Sequence, residues 1–456
     1  MARDVVDEEL VESRDQLAAW FEAGCKYPGA FRVGTEHEKI PFYRAGHAPV
    51  PYEGDRGIRA LLEGMNATLG WERIEDGGNL IGLFDPHDGG AISLEPGGQF
   101  ELSGAPLDNA HETAAEIDRH LAICKAVGEP MGLGFLSLGM SPQWTLAETP
   151  TMPKSRYGIM RRYMPRVGSR GLDMMFRTAT VQSNLDFRDE KDMVAKLRVG
   201  LALQPALTAL FANSPFTDGK PNGLLSARSE IWRDTDRDRT GMLPFAFEPG
   251  MGFERYVDYA LDVPMYFVKR GDRYIDVAGG SFRDLLDGRL AAAPGERATI
   301  SDWANHLSSI FPEVRLKRYL EMRGADVGPP DRMVALSALM VGLYYDSGAL
   351  AGALDLIAPW KAEQRQQLRD EAPRLGLAAK IAGRSLRDVA LDMLALARAG
   401  LSRRARRNAA GEDETIWLRP LEAIAESGRE PARGWLDLYE GRWRRSVAPA
   451  FEEAVL

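Results

Sequence analysis

Three features of the chain predict an α+β fold, an antiparallel sheet with helices packed against its outside. Several short stretches alternate polar and apolar side chains, so each would form a strand with a polar front and an apolar back. Between them lie segments whose apolar residues recur at helical spacing. From about residue 331 onward the pattern is mostly helical and richer in Ala and Leu.

Residues 9–24 read as an amphipathic helix, with Leu10, Leu17, Trp20 and Phe21 on its apolar side. The next stretch, Gly34-Thr35-Glu36-His37-Glu38-Lys39, reads as a strand, and alternation puts Glu36 and Glu38 on one face. Residues 55–69 are helical in pattern through Ile58, Leu61, Leu62, Met65 and Leu69. The turns Asp76-Gly77-Gly78-Asn79 and Asp88-Gly89-Gly90 mark a hairpin region. It leads into Leu94-Glu95-Pro96-Gly97-Gly98-Gln99-Phe100-Glu101-Leu102, where Gln99 and Glu101 share a face. A helix is expected over 108–127, capped by Asp108 or Asn109.

Residues 174–187 alternate, with Thr180, Gln182, Asn184 and Asp186 on one side and Val181, Leu185 and Phe187 on the other. The helical pattern returns over 190–212, where Pro205 is expected to interrupt it. Residues 263–277 predict a hairpin turning at Gly271-Asp272. The segment 312–324 ends in a stretch that, as a strand, places Glu321 and Arg323 on one face. There is no internal repeat, low-complexity tract or clear linker.

The chain has 456 residues, 45% of them hydrophobic and 27% charged, enough to bury a substantial core. Its net charge of −9 argues against a nucleic-acid partner, though an acidic protein can hold a basic pocket for an anion. Cys25 and Cys124 could form at most one disulfide, which suits a reducing compartment. The segment Met1–Glu9 is too acidic for a targeting peptide, and no apolar run approaches the roughly 20 residues of a bilayer span. The expectation is therefore a cytoplasmic protein with no membrane partner. None of the six histidines falls in a zinc-binding spacing.

Acidic side chains brought together repel one another and are costly to desolvate, so they persist best around cations. All-oxygen sites suit Mg²⁺ or Mn²⁺, and Mg²⁺ usually arrives with a phosphate-bearing substrate. No Gly-x-x-x-x-Gly-Lys-Ser/Thr is present, so the pattern points to ATP chemistry without a P-loop. Taken singly, each glutamate also reads as a solvated strand residue, and Gly97-Gly98 as a simple turn. Gly132-x-Gly134 follows a helix and reads as loop. Arginines cluster around 156–166, at Arg177, at Arg228 and Arg233, and over 315–323, where guanidinium forks could serve an anionic substrate. Arg403-Arg404-Ala405-Arg406-Arg407 reads as a solvated helical face, and Cys25 as a structural thiol.

At these motifs the sequence resembles plant-type glutamate–cysteine ligase, a form also found in proteobacteria. The resemblance rests on Gly34–Lys39, Leu94–Leu102, Met152–Tyr157, Met174–Thr178 with Gln182 and Asn184, and Phe211–Phe216. It continues through Asp234–Gly241, Tyr256–Ala260 and Arg318–Asp326, so it spans nearly the whole chain. It implies one catalytic unit over 1–456, with a sheet-containing core over 1–330 and a helical part over 331–456. The implied core is a curved antiparallel sheet of the carboxylate–amine ligase and glutamine synthetase-like type. The implied reaction joins the γ-carboxylate of L-glutamate to the amine of L-cysteine through γ-glutamyl phosphate, with ATP as co-substrate and Mg²⁺ or Mn²⁺ as cofactor. It is the first step of glutathione synthesis, carried out by a monomer or homodimer.

By the same resemblance, Glu36, Glu38, Glu95, Glu101 and Glu321 are the metal candidates. Gln182 joins them, at a polar-front position where related ligases can use another ligand. Arg228, with Trp232 nearby, would hold the substrate glutamate, and Asn184 would support it. Arg323 would serve the ATP phosphates and, with Arg177, catalysis. Plant members carry regulatory cysteine pairs, whose positions align here with Ala114 and Val334 and with Val277 and Ala292. Hydrocarbon side chains cannot form disulfides, so no such thiol switch is expected. The competing readings are a ligase acting on a different amine, a silent metal- or nucleotide-binding protein, and a metal-dependent hydrolase, which the sparse histidines disfavour.

Overall fold

Eleven residues, Val33–Tyr43, form strand β1 at the centre of a nine-stranded sheet in the computed structural model, which describes residues 7–456. Met1–Val6 of the acidic opening segment lie outside the described residues. One flank of β1 carries, in order outward, β5 (Phe100–Ser103), β4 (Ala91–Leu94), β3 (Asn79–Phe84) and β2 (Glu72–Asp76). The other carries β7 (Thr180–Leu185), then the strands Leu320–Asp326 and Val314–Leu316. The second half of β1 pairs with β6, Leu133–Leu136. Every pairing in this sheet is antiparallel, as the alternating strands predict.

Helices cover the sheet. α1 (Arg14–Glu22) starts with a capping box between Ser13 and Gln16, and α2 (Ile58–Leu69) stops at the left-handed Gly70. α3 (Ala110–Gly128) is capped by Asn109, whose side chain accepts from the amides of His111 and Glu112. The helix Pro330–Tyr344 packs on β7, β1 and α3, and its Ser337 Oγ lies 2.6 Å from Thr35 Oγ1 of β1. Beyond it the chain is helical apart from a hairpin of two-residue strands, Lys380–Ile381 with Arg384–Ser385. One cluster of buried apolar side chains runs from Val11 to Ala454 and so draws on both ends of the chain. The hairpin at Gly271-Asp272 forms as expected, between Phe267–Arg270 and Arg273–Asp276.

Two local expectations fail. Residues 174–177 are not strand but the end of α5 (Gly171–Arg177), which follows α4 (Ser155–Tyr163). The Arg177–Asp173 pair at 3.0 Å is a one-turn contact that a helix supplies and a strand does not. Nor does Pro205 break α6, which runs from Glu190 to Leu210. The missing amide and ring clash cost about 3 kcal/mol. The helix buries nearly every side chain from Lys196 onward, at about 1.5–3 kcal/mol for each large apolar one, so packing outweighs the local defect. α6 has the length and hydropathy of a membrane span, but it is the buried helix against the strand Leu320–Asp326. Cys25 and Cys124 are both free thiols.

Between β4 and β5 the chain turns at Pro96–Gly98, pressed against the end of α5. A Cβ at Gly97 would fall 2.0 Å from the carbonyl oxygen of Phe176, and Gly98 has φ 89°. Gly97→Ala is expected to destabilise the protein by about 1–3 kcal/mol through overpacking. Thermal unfolding measures it, and an unchanged midpoint would contradict this close approach.

Candidate active site

The register of β1 gathers the polar front. Opposed residues in an antiparallel pair point the same way. Glu38 lies opposite Glu101 and Glu36 opposite Ser103, while on the other side Glu36 lies opposite Gln182 and Gly34 opposite Asn184. Asn184 in turn lies opposite Glu321. Glu36, Glu38, Glu101, Gln182, Asn184 and Glu321 therefore share one face of the sheet. Glu95 joins them from the β4–β5 turn, which Gln99 fastens by accepting from Gly97 N at 2.9 Å and donating to Thr178 O at 2.8 Å.

A cleft with a cavity volume of about 120 Å³ opens over this face. Glu36, Glu38, Glu95, Glu101 and Gln182 line it, together with Arg156, Arg228, Arg315 and Arg323. Met174, Met175, Phe267 and Phe311 give the walls an apolar part. Glu36 and Glu38 are met by neutral donors, Asn184 Nδ2 at 2.8 Å and the Thr180 amide at 3.0 Å. Burial and the repulsion of Glu95 and Glu101 push Glu38 well above the usual carboxylate range. Burial and Glu101 likewise push Glu95 up.

Arg228 stands on α7 (Ala227–Trp232). Asp326, at the end of the strand Leu320–Asp326, accepts from Ser214 Oγ at 2.6 Å and from Ser226 Oγ, the α7 cap, at 2.9 Å. Arg228 Nη2 donates to the Arg323 carbonyl at 2.9 Å, and its guanidinium lies 6.0 Å from the Trp232 ring centre. Arg323 lies at the same distance from the Trp232 ring centre and 5.7 Å from that of Phe311. Burial, helped by nearby Arg315, draws Arg323 down to about 10, so it stays charged at neutral pH.

Four of the expected site residues have protein partners of their own. Glu321 is fully buried and taken up by protein cations: Arg315 Nε at 2.5 Å, Lys317 Nζ at 2.5 Å and Arg323 Nη1 at 3.3 Å. Burial opposes its ionisation, yet these three hold it well below the usual carboxylate range. It is a counter-ion for Arg315, Lys317 and Arg323, and it is not among the residues that line the cleft. Gln182 reaches the cleft, but its Oε1 accepts from Arg323 Nη1 at 2.8 Å. Asn184 does not line the cleft and steadies Glu36 instead. Arg177 is buried outside it, tied to Asp173, to Asp218 at 2.5 Å and to the Trp144 carbonyl at 2.6 Å, so it braces loops and touches nothing in the cleft.

The sequence reading missed Phe267, Phe311, Ser308 and Ser309 of the cleft wall. They come from a hairpin and a helix end far along the chain, and nothing in their local pattern sets them apart. Thr180 and Arg315 were visible as a polar-front residue and as part of an arginine cluster.

Among the described residues no three acidic, His or Cys groups converge into a ready-made metal cage. Mg²⁺ does not require one, because it keeps several waters and is held by one or two carboxylates plus substrate phosphates. Oxygen ligands with raised, mutually repelling carboxyls fit a hard cation of that kind.

A family model described as Glutamate-cysteine ligase family 2 (GCS2) matches residues 32–453. The chain is 54% identical over 441 residues to the chloroplastic glutamate–cysteine ligase of Nicotiana tabacum, covering 97% of this chain and 82% of the relative. The chloroplastic enzyme of Arabidopsis thaliana is 53% identical over the same length, again with 97% and 82% covered. Among solved structures, a Francisella tularensis glutamate–cysteine ligase in complex with AMP matches with a TM-score of 0.54 at 13% identity. That match covers 93% of this chain and 88% of the other, and at such identity the likeness is one of fold. The relatives are named chloroplastic, which overturns the expectation of a cytoplasmic protein. Compartment is set by an address that import machinery reads, so cysteine usage and overall composition were no guide to it.

The raised carboxyls have a stability consequence. Folded Glu38 and Glu95 bind protons more tightly than they do in the unfolded chain, where the value is near 4.5. Their contribution to stability is therefore present below that value and lost as pH rises through the folded-state values. In metal-free protein, Glu38→Gln is expected to be stabilised relative to the parent at about pH 8 more than at about pH 5. Thermal melts in chelator read this, and a Glu38→Gln protein no more stable than the parent at the higher pH would count against it.

Proposed function

The chain belongs to glutamate–cysteine ligase family 2, and on that premise we propose that the sheet-face carboxylates of its cleft hold the metal, while Arg323 serves the ATP phosphates and Arg228 the substrate glutamate. The protein is a glutamate–cysteine ligase, joining the γ-carboxylate of L-glutamate to the amine of L-cysteine in the first step of glutathione biosynthesis. A carboxylate does not react with an amine at neutral pH, because its oxygen is a poor leaving group. ATP removes that obstacle by giving its γ-phosphoryl group to the glutamate γ-carboxylate, which forms γ-glutamyl phosphate and ADP. The cysteine amine attacks the acyl carbon, phosphate leaves with the C–O bond electrons, and the amine loses a proton as the amide forms. Such transfer needs positioning and charge neutralisation more than a protein nucleophile.

The observation that carries this reading is the meeting of carboxylates and buried guanidiniums in one cleft over the sheet. Glu36, Glu38, Glu95 and Glu101 would hold Mg²⁺ or Mn²⁺, whose charge lets the anionic ATP and glutamate approach each other. Arg323, charged and beside Gln182, would steady the ATP phosphates. Arg228 would take the carboxylate of glutamate, with Trp232 closing the wall beside it. Glu321 holds Arg315 and Arg323 in place by ion pairs.

ADP release tests the amine: L-cysteine with L-glutamate should be far better than alanine or glycine, and parity among the three would reject the assignment. Glu36→Gln and Glu101→Gln remove one ligand charge at nearly constant shape. Each is expected to lower turnover by at least about 10–100-fold with the fold retained. Near-parental turnover of both at limiting Mg²⁺ would refute the metal role. Arg228→Ala should weaken glutamate use by about 10–100-fold, the worth of a charged hydrogen bond. A change in ATP affinity alone would show that Arg228 serves the other substrate.

A further inference from the structure

The helix Ala362–Leu375, in the C-terminal helical part, grips α7 at three heights. The Pro373 carbonyl accepts the amides of Leu225 at 2.8 Å and Ser226 at 3.0 Å, just ahead of α7. Arg369 Nη2 donates to the Ser229 carbonyl within α7 at 3.0 Å. Asp370 pairs with Arg233, just past α7, at 2.9 Å.

Arg369 does more than bind one helix to another. Its Nε bonds Glu313, the residue between Pro312 and the strand Val314–Leu316. Glu313 accepts the Arg323 amide on its carbonyl at 3.3 Å and donates its own amide to Gly241 at 3.0 Å. One planar fork thus ties the backbone of α7, which presents Arg228 and Trp232, to the segment that presents Arg323. Arg369 is 3% exposed, and it lines a narrow cleft shared with Arg228, Trp232 and Arg323. Arg369 Nη1 and Trp232 Nε1 are both buried there without a hydrogen-bond partner. A buried ion pair contributes little net stability compared with apolar packing, so its value here lies in fixing geometry. A guanidinium can hold two partners at once in a fixed plane, which an ammonium cannot.

We infer that Arg369 is a positioning residue for the amino-acid subsite, setting Arg228 and Trp232 against Arg323 through the Ser229 carbonyl and Glu313. The inference rests on the assignment of Arg228 to the substrate glutamate. The test measures KM for glutamate and for ATP separately, together with melting temperature, in the parent, R228A, R369K, R369Q and R233A. R369K keeps the buried charge and loses the fork, and should stay folded. Its KM for glutamate should rise about tenfold or more while its KM for ATP stays within about twofold, because sub-ångström misplacement acts on the substrate that Arg228 holds. R233A cuts the exposed tie between the same two helices and should leave both constants unchanged. If R369Q fails to fold, R369K alone decides. A folded R369K with glutamate KM within about twofold of the parent overturns the inference, as does an equal rise in both constants or an R233A effect as large as that of R369K. If R228A alters ATP use and spares glutamate, the assignment of Arg228 fails and the inference falls with it. If R228A behaves as assigned and R369K does not, only the inference fails.

Discussion

Like charges forced onto one face of a sheet are the constraint on which the rest of this molecule depends. Glu38 and Glu101 face each other directly across β1 and β5, and Glu95 is turned towards them from the adjoining loop. Nothing about that arrangement favours the fold by itself, since burial and repulsion push two of these carboxyls towards their neutral form. It is held by what lies behind. A one-residue slip of β1 would send Glu36 and Glu38 into the core and His37 and Lys39 into the cleft. The back face forbids that slip: Val33 and Val181 are buried in the core, and Thr35 is bonded to Ser337 of a covering helix.

The far strands of the same sheet solve the reverse problem, buried cations. Arg315, Lys317 and Arg323 converge on the single carboxylate of Glu321. The same side chain that belongs by register to the acidic face thus works as an internal counter-ion. Arg323 keeps a further bond to Gln182, so the two charge systems meet at that residue. The helical C-terminal part enters this balance through Arg369, which places a cation behind the wall rather than on it.

Much of this was legible in the chain. Alternation is a local property, so the shared faces of Glu36 with Glu38, and of the Gln182 strand, could be read before any pairing was known. What could not be read was which groups lie across from them. Glu321 looked like a fifth ligand because Arg315 and Lys317, which consume it, approach through strand pairing and packing that spacing does not reveal. Arg177 stood in a recognisable motif, yet its partners Asp218 and Trp144 come from distant loops. Pro205 shows tertiary packing overriding a local breaker, and residues 174–177 show an alternating pattern absorbed by a helix end. The compartment expectation failed for a different reason, because the fold carries no record of the address.

The most direct measurement is Mn²⁺ binding followed by electron paramagnetic resonance, with and without a non-hydrolysable ATP analogue. If the sheet-face glutamates hold the cation, the parent should bind Mn²⁺ and Glu38→Gln should bind it at least about tenfold more weakly, with the analogue tightening the parent's site. Equal Mn²⁺ affinity in the parent and in Glu38→Gln, with or without nucleotide, would contradict the central assignment.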